Sequence, residues 1–146
     1  MLEKAGWAPG KRIVEAGFAE QDFGAWEGNT HDALARENTS DYAHFWDNPA
    51  QNRPPDGESF ADLMTRASAA LAALTEAHPA RDIVLIGHGG SIRAIVAAIL
   101  GLSPENALAL EIAPLSLCLA DHAGTEQAAG ALSPWKLRGL NIRVGL

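Results

Sequence analysis

Residues Ile83–Leu102 read IVLIGHGGSIRAIVAAILGL, an apolar run followed by a glycine-rich turn and a second apolar segment. Val84, Leu85 and Ile86 form a continuous hydrophobic run, which predicts a strand buried on both faces. The later apolar residues recur at helical spacing and end at Gly101. They are Ile92, Ile95, Val96, Ile99 and Leu100. The pattern therefore predicts a strand, a turn and a helix, with His88 at the junction.

His88 is placed where an α/β protein binds ligands, at the carboxyl end of a strand. The backbone N–H groups and the positive dipole end of the following helix favour an anion there. Gly89 and Gly90 carry no side chains, so a phosphate can approach the backbone closely. A buried structural histidine is the alternative interpretation. The oxyanion loop of an α/β-hydrolase is disfavoured, because the chain contains no G-x-S-x-G pentapeptide.

Four segments together resemble the histidine phosphatase superfamily, the phosphoglycerate mutase-like proteins. GHGGSIR resembles the second-histidine motif of that family, and FAEQDFGAWEG (Phe18–Gly28) is similar to its acid-bearing segment. PPDGESFADLMTR (Pro54–Arg66) and WKLRGLN (Trp135–Asn141) resemble its Gly-Glu-Ser helix start and its last strand. The DFGAWEG form is similar to the branch that includes α-ribazole phosphatase. The resemblance implies an α/β fold, a three-layer α/β/α sandwich that lacks the first strand and most of the first helix.

The resemblance also assigns roles to three residues. His88 corresponds to the second family histidine, a catalytic donor that holds the phosphate, and Gly89 would contribute its backbone to the same phosphate. Glu20 corresponds to the general acid and base of the family. A solvated loop carboxylate is the alternative for Glu20. Glu27 is expected to anchor its loop through hydrogen bonds and is given no chemical role.

Other candidate residues carry less specific signals. Arg93 could clamp a phosphate, since guanidinium binds phosphate bidentately, and a helix-surface ion pair is the alternative interpretation. Trp7, Trp26, Trp46 and Trp135 could line a pocket for an organic leaving group, although core or half-buried packing is the ordinary role of such rings. His31 and Asp32 show no known metal-ligand spacing. We expect neither a metal nor a cofactor.

The nucleophile of the family is absent from this sequence. The family opens with a strand ending in Arg-His-Gly, whose histidine takes up the phosphoryl group. None of the five histidines here is preceded by Arg and followed by Gly, and MLEKAGW resembles the tail of the first long family helix. We therefore expect a polypeptide that begins late and is essentially inactive alone. A lost strand would leave unpaired backbone groups in the sheet, which favours marginal stability or self-association as a homodimer.

Composition limits the remaining functions. A chain of 146 residues with 47% hydrophobic content can bury one core, so residues 1–146 are expected to form a single domain. The formal charge of −7 argues against nucleic-acid binding and requires local donors for an anionic substrate. Cys118 lies in an apolar run and is expected to be a buried free thiol. The absence of a leader and of a long apolar run predicts a cytoplasmic protein with no membrane partner.

Three functional hypotheses follow. The first is a histidine phosphatase, represented by an incomplete chain, that hydrolyses a small phosphorylated molecule through a phosphohistidine. The second is a pseudoenzyme that keeps an anion pocket and binds a phosphorylated ligand or a protein partner. The third is a non-functional gene remnant. Reading the coding DNA upstream of Met1 for an in-frame Arg-His-Gly run would separate the first hypothesis from the others.

The rest of the chain predicts alternating helices and strands. Ile13–Glu15 suggests an edge strand, and Thr30 can cap a helix that begins at His31. Ser59 and Asp62 form a capping-box pattern for a helix that ends at His78-Pro79. Further elements are a helix around residues 42–46, a short helix after Ser103-Pro104, and strands around residues 115–119 and 135–140.

Overall fold

The computed structural model describes residues 12–37, 39–123 and 134–143. The MLEKAGW segment, Trp7 included, lies outside these residues, so the predictions for it are not tested. The described helices are α1 (His31–Glu37), α2 (Thr39–Asp47), α3 (Phe60–Ala77), α4 (Gly89–Leu100) and α5 (Pro104–Ala107). Two strands follow, β1 (Ser116–His122) and β2 (Trp135–Arg143), and two short 3-10 turns, Ala16–Phe18 and Gly24–Trp26, precede the helices.

Helices α3 and α4 pack against each other and form the main hydrophobic core. Phe60, Leu63 and Ala67 on α3 and Ala94 and Ala97 on α4 are each at most 1% exposed. These positions recur every three or four residues, which is the spacing that places apolar side chains on one helix face. A second, smaller cluster joins the 3-10 turn at residues 24–26 to α1 and α2 through Trp26, Leu34 and Phe45.

Local signals place the helix ends where the sequence predicts them. The Ser59 hydroxyl accepts a hydrogen bond from Asp62 N at 3.1 Å, and the Asp62 carboxylate accepts one from Ser59 N at 2.8 Å, which completes the predicted capping box. Thr30 Oγ1 accepts from Ala33 N at 3.2 Å, and Ser103 Oγ accepts from Asn106 N at 3.3 Å. The predicted starts of α1, α3 and α5 are therefore confirmed.

The predicted buried strand at Val84–Ile86 is wrong for the described structure. Residues 81–88 form no strand, and Val84 and Ile86 are 55% and 86% exposed. A strand buried on both faces needs paired neighbours and a packed layer on each side. Within the described residues the sheet contains only β1 and β2, which pair antiparallel with each other. Leu85 alone of this run packs against the core.

Two smaller expectations also need correction. Ile13–Glu15 forms no edge strand, because the Glu15 carboxylate turns back to accept a hydrogen bond from Gly17 N at 2.9 Å and Val14 is fully exposed. Cys118 is a free thiol on β1, as predicted, but it is half-buried rather than buried. None of the described helices combines the length and the apolar character needed to cross a membrane.

Candidate active site at the N-terminus of helix α4

The Glu20 carboxylate lies directly on the N-terminus of helix α4. Its Oε2 accepts a hydrogen bond from Gly90 N at 3.0 Å, and its Oε1 accepts one from Ser91 N at 3.1 Å. Gln21 N donates a third hydrogen bond to Oε1 at 2.9 Å. The Gly90 and Ser91 N–H groups belong to the set that helix α4 cannot satisfy internally, and the helix dipole adds attraction for a negative charge. Glu20 is thus a held, half-buried carboxylate rather than a freely solvated loop side chain.

Gly90 is the residue that allows this contact. A Cβ atom at position 90 would collide with the Glu20 carboxylate. Ser91, which follows, is completely buried, and its hydroxyl accepts from His88 N at 3.1 Å and donates to His88 O at 3.2 Å. The Ser91 side chain therefore fixes the backbone of His88 at the first turn of the helix.

His88 and Gly89 stand at the open side of the same helix end. His88 is the N-cap residue, with extended backbone angles (φ −108°, ψ 171°), and it is exposed to solvent. The Gly89 N–H has no hydrogen-bond partner among the residues that the structure describes. The structure thus brings the three predicted site residues to one helix terminus; it does not test their roles. His88 is not the buried structural histidine of the alternative interpretation.

A guanidinium that the sequence analysis did not single out holds Glu20 in place. Arg66 on α3 donates to the Glu58 carboxylate, with Nη2–Oε1 at 2.5 Å and Nε–Oε2 at 2.9 Å. The same guanidinium donates to the backbone carbonyls of Glu20 (2.9 Å), Ala19 (3.0 Å) and Gly17 (3.0 Å). The hydrogen bonds to Glu58 raise the pKa of Arg66 above its ordinary value. Arg66 therefore clamps the loop that carries Glu20 onto helix α3.

The loop before α3 completes this clamp. Glu58 N donates to Asp22 O at 2.9 Å, and Asp22 N donates to the Glu58 carboxylate at 3.0 Å. Gly24 adopts a positive φ of 53°, and a Cβ there would collide with the backbone of Pro55. The FAEQDFG and DGES segments of the sequence are two sides of one contact, which explains why both carry glycine.

Aromatic side chains form a cluster beside this loop, here called the aromatic cluster. Phe45 contacts Trp26 and Trp46 edge to face, with centroid distances of 5.3 and 5.2 Å. The other members are Phe23, Tyr42 and His31. Trp26 is buried, which agrees with core packing, whereas Trp46 is 48% exposed. The half-buried Trp135 lies on β2 against His122, away from the cluster.

Two cavities adjoin the aromatic cluster. The first, of about 160 Å³, is lined by Trp26, whose buried Nε1 has no hydrogen-bond partner in the described structure. The second, of about 350 Å³, is lined by Arg93, His31, Gln21, Phe23, Phe45 and Trp46 together with Pro49 and Leu108, and is called the Arg93 cavity below. Arg93 forms no ion pair with any described residue, so the predicted helix-surface pair is not found there.

The remaining candidates have local structural roles. The Glu27 carboxylate accepts a hydrogen bond from Phe23 N at 3.1 Å, which agrees with the predicted loop anchor. His31 Nδ1 lies 3.3 Å from the Tyr42 hydroxyl. Among the residues described by the structure, no three His, Cys, Asp or Glu side chains are grouped as metal ligands would be.

Comparison with known proteins identifies relatives of the whole site-bearing region. The model of the histidine phosphatase superfamily (branch 1) matches residues 5–133. A 2,3-bisphosphoglycerate-dependent phosphoglycerate mutase from Brucella anthropi is 28% identical over 114 residues, which are 77% of this chain and 55% of that protein. The chain thus spans about half the length of the curated relatives it matches.

Solved structures show the same fold. The α-ribazole phosphatase from Shigella flexneri has a TM-score of 0.75 and 22% identity, covering 91% of this chain and 62% of that one. A mycobacterial glucosyl-3-phosphoglycerate phosphatase has a TM-score of 0.73 and 27% identity, covering 97% and 68%. These similarities confirm the predicted phosphoglycerate mutase-like α/β fold.

Proposed function

Because the chain belongs to the histidine phosphatase superfamily, we propose that it carries the phosphate-holding and proton-transferring half of a phosphomonoester hydrolase. In this proposal His88 and the Gly89 N–H hold the phosphoryl oxygens of a small phosphorylated molecule. Glu20 supplies the proton for the leaving oxygen. Hydrolysis rather than mutase chemistry is favoured by the DFGAWEG form of the acid segment.

The observation that carries the proposal is the contact between Glu20 and the N-terminus of α4. Two hydrogen bonds, from Gly90 N and Ser91 N, hold the carboxylate within three residues of His88 along the chain. The acid and the proposed phosphate site therefore share one helix terminus. Because the Glu20 carboxylate and the proposed phosphate donors are already held at this terminus, they need little rearrangement when charge develops in the transition state.

The pattern of hydrogen bonds suggests which oxygen handles the proton. Oε1 of Glu20 accepts from both Gln21 N and Ser91 N, whereas Oε2 accepts only from Gly90 N among the residues placed in the structure. Each carboxylate oxygen has two lone-pair positions. Oε2 therefore keeps one position for the proton that passes to the leaving group.

The phosphohistidine step needs a nucleophile that these 146 residues do not provide in the family context, since no histidine occurs in an Arg-His-Gly sequence. Loss of one member of an interdependent catalytic set typically lowers the rate by on the order of a millionfold. We expect the chain alone to bind phosphate without hydrolysing phosphomonoesters.

The test combines a turnover assay with a binding assay on the purified chain. With 4-nitrophenyl phosphate we expect no turnover above that of buffer. Inorganic phosphate and orthovanadate should bind saturably in calorimetric titrations, and His88→Ala should weaken that binding at least tenfold, as expected for loss of a charge-assisted hydrogen bond. His44→Ala, at an exposed histidine on α2, is the matched control.

Two outcomes would contradict the proposal. Turnover that His88→Ala abolishes would show that the chain has its own nucleophile. Failure of phosphate and vanadate to bind the folded chain, or binding that is unaffected by His88→Ala, would remove the phosphate site.

A further inference from the structure

The Arg93 cavity contains a cation that nothing in the described part of the chain neutralises. Arg93 has no hydrogen bond or ion pair with those residues, and its Nε is buried without a partner. The described residues that line the cavity include no carboxylate. Buried donors are normally hydrogen-bonded, and a charged donor left without an acceptor is costly. The unpaired guanidinium therefore indicates an acidic ligand.

The position of the Arg93 cavity connects it to the proposed phosphate site. Arg93 follows Gly89 by four residues on α4, so the two lie on the same helix face, about 6 Å apart along the axis. Gln21, which also lines the cavity, follows Glu20 directly in the sequence. A molecule whose phosphate contacts Gly89 can thus extend along α4 to the guanidinium.

The walls of the cavity are suited to a flat ring. Phe23, Phe45 and Trp46 line it, with Phe45 and Trp46 at a centroid distance of 5.2 Å and an interplanar angle of 82°. Trp46 is 48% exposed, so part of its indole surface is open for stacking. His31 lines the same space, and its Nδ1 faces the Tyr42 hydroxyl, which leaves Nε2 for a ligand.

We propose that the Arg93 cavity binds the leaving group of the phosphomonoester, and that this leaving group is an aromatic ring carrying a carboxylate. The inference rests on the proposed function and extends it to the substrate class. The guanidinium takes the carboxylate in a bidentate pair, and the aromatic cluster stacks on the ring. In a chain with a net charge of −7, a local cation of this kind is required to attract such an anion.

The test uses ligands without phosphate, so that it is independent of the phosphate site. Binding of 4-hydroxybenzoate and of phenol to the full chain is followed by tryptophan fluorescence and calorimetry. We expect 4-hydroxybenzoate to bind at least tenfold more tightly than phenol, the ratio typical of one charge-assisted bidentate pair. Arg93→Gln should remove this advantage and leave phenol binding unchanged. Arg53→Gln, at an exposed arginine outside the cavity, is the matched control.

Two further variants separate the possible causes of a change. Trp46→Ala should weaken the binding of both ligands, because it removes a ring surface and not the charge. Arg93→Lys keeps the charge but loses the fork of donors, so its preference for 4-hydroxybenzoate should lie between those of the original chain and Arg93→Gln. Circular dichroism of each variant establishes that it is folded. If Arg93→Gln does not fold, two measurements still test the inference. They are the ratio of the affinities of the original chain for 4-hydroxybenzoate and phenol, and the smaller ratio expected for Arg93→Lys.

The failure of this inference is distinguishable from failure of the proposed function. Equal affinities for phenol and 4-hydroxybenzoate, or a preference that survives Arg93→Gln, would overturn the assignment of the cavity even if phosphate binds through His88. Binding of 4-hydroxybenzoate that depends on Arg93, without any phosphate binding, would support the cavity and refute the phosphate site.

Discussion

Replacing Arg66 by alanine should destabilise the chain more than the removal of any other partly exposed charged side chain among the described residues. Arg66 gives three hydrogen bonds to the Glu58 carboxylate and donates to the carbonyls of Ala16, Gly17, Ala19 and Glu20. The two charged side chains are only 28% and 18% exposed, so water replaces these contacts incompletely. Removing one partner from a fully buried pair costs about 3–5 kcal/mol, and partial exposure reduces this to about 2–3 kcal/mol.

Equilibrium unfolding in urea measures this loss. Trp26 is 5% exposed and passes into water on unfolding, so tryptophan fluorescence reports the transition. With an m-value of about 1.5–2 kcal/mol per molar urea, the midpoint should fall by roughly 1–2 M. Arg53→Ala is the matched control, because Arg53 pairs with Asp62 at the surface and is 63% exposed. Surface pairs contribute about 0–1 kcal/mol, so its midpoint should move much less.

The decisive comparison is between these two arginines. If Arg66→Ala and Arg53→Ala lower the midpoint equally, the clamp on the loop that carries Glu20 does not stabilise the fold. A large shift in Arg66→Ala that a lysine at position 66 fully restores would also contradict the reasoning, because lysine cannot reproduce the fork of donors.

Two further predictions concern the ends of helices. Gly90→Ala should push the Glu20 carboxylate off the N-terminus of α4 and destabilise the chain by about 1–3 kcal/mol in urea unfolding. Gly89→Ala, where a Cβ meets no atom closer than 4.0 Å, should leave the stability unchanged or raise it slightly. If Gly89→Ala proves less stable than Gly90→Ala, the contact between Glu20 and the N-terminus of α4 does not stabilise the chain. The hydrogen bond from the Ser59 hydroxyl lowers the pKa of Asp62. The ionised Asp62 carboxylate therefore stabilises the fold above the pKa that Asp62 has in the unfolded chain, and this stabilisation is lost as the pH falls through the lower pKa of the folded chain. The original chain should therefore melt at a higher temperature than the Asp62→Asn variant, and this difference in Tm should shrink below about pH 4. A difference in Tm that stays constant from pH 7 to pH 3 would refute the prediction.

The sequence predicts the helices because their determinants are local. Ser59 and Asp62, which form the capping box of α3, lie only three residues apart in the sequence. The apolar stripe of α3 likewise repeats within two turns. The start of α4 at His88 is likewise determined locally, because the glycines and Ser91 that shape it follow His88 directly in the sequence.

Long-range features could not be predicted in the same way. The contacts from Arg66 to the loop that carries Glu20 span 46–49 residues, and no short-range periodicity relates these positions. The one available signal was the presence of Glu58 and Arg66 in a single motif, eight residues or about two helical turns apart. The apolar run at Val84–Ile86 shows the opposite error, because hydrophobicity indicates a preference for burial but does not supply the neighbouring strands.

The uncovered run at Ile83, Val84 and Ile86 makes protein concentration a variable in every measurement on this chain. These side chains are 41%, 55% and 86% exposed, and the backbone between them has no sheet partner in the described structure. Such a stretch can form cross-chain ladders with any extended polypeptide it meets. Unfolding midpoints should accordingly be collected over a dilution series, since a value that rises with concentration reports assembly together with folding.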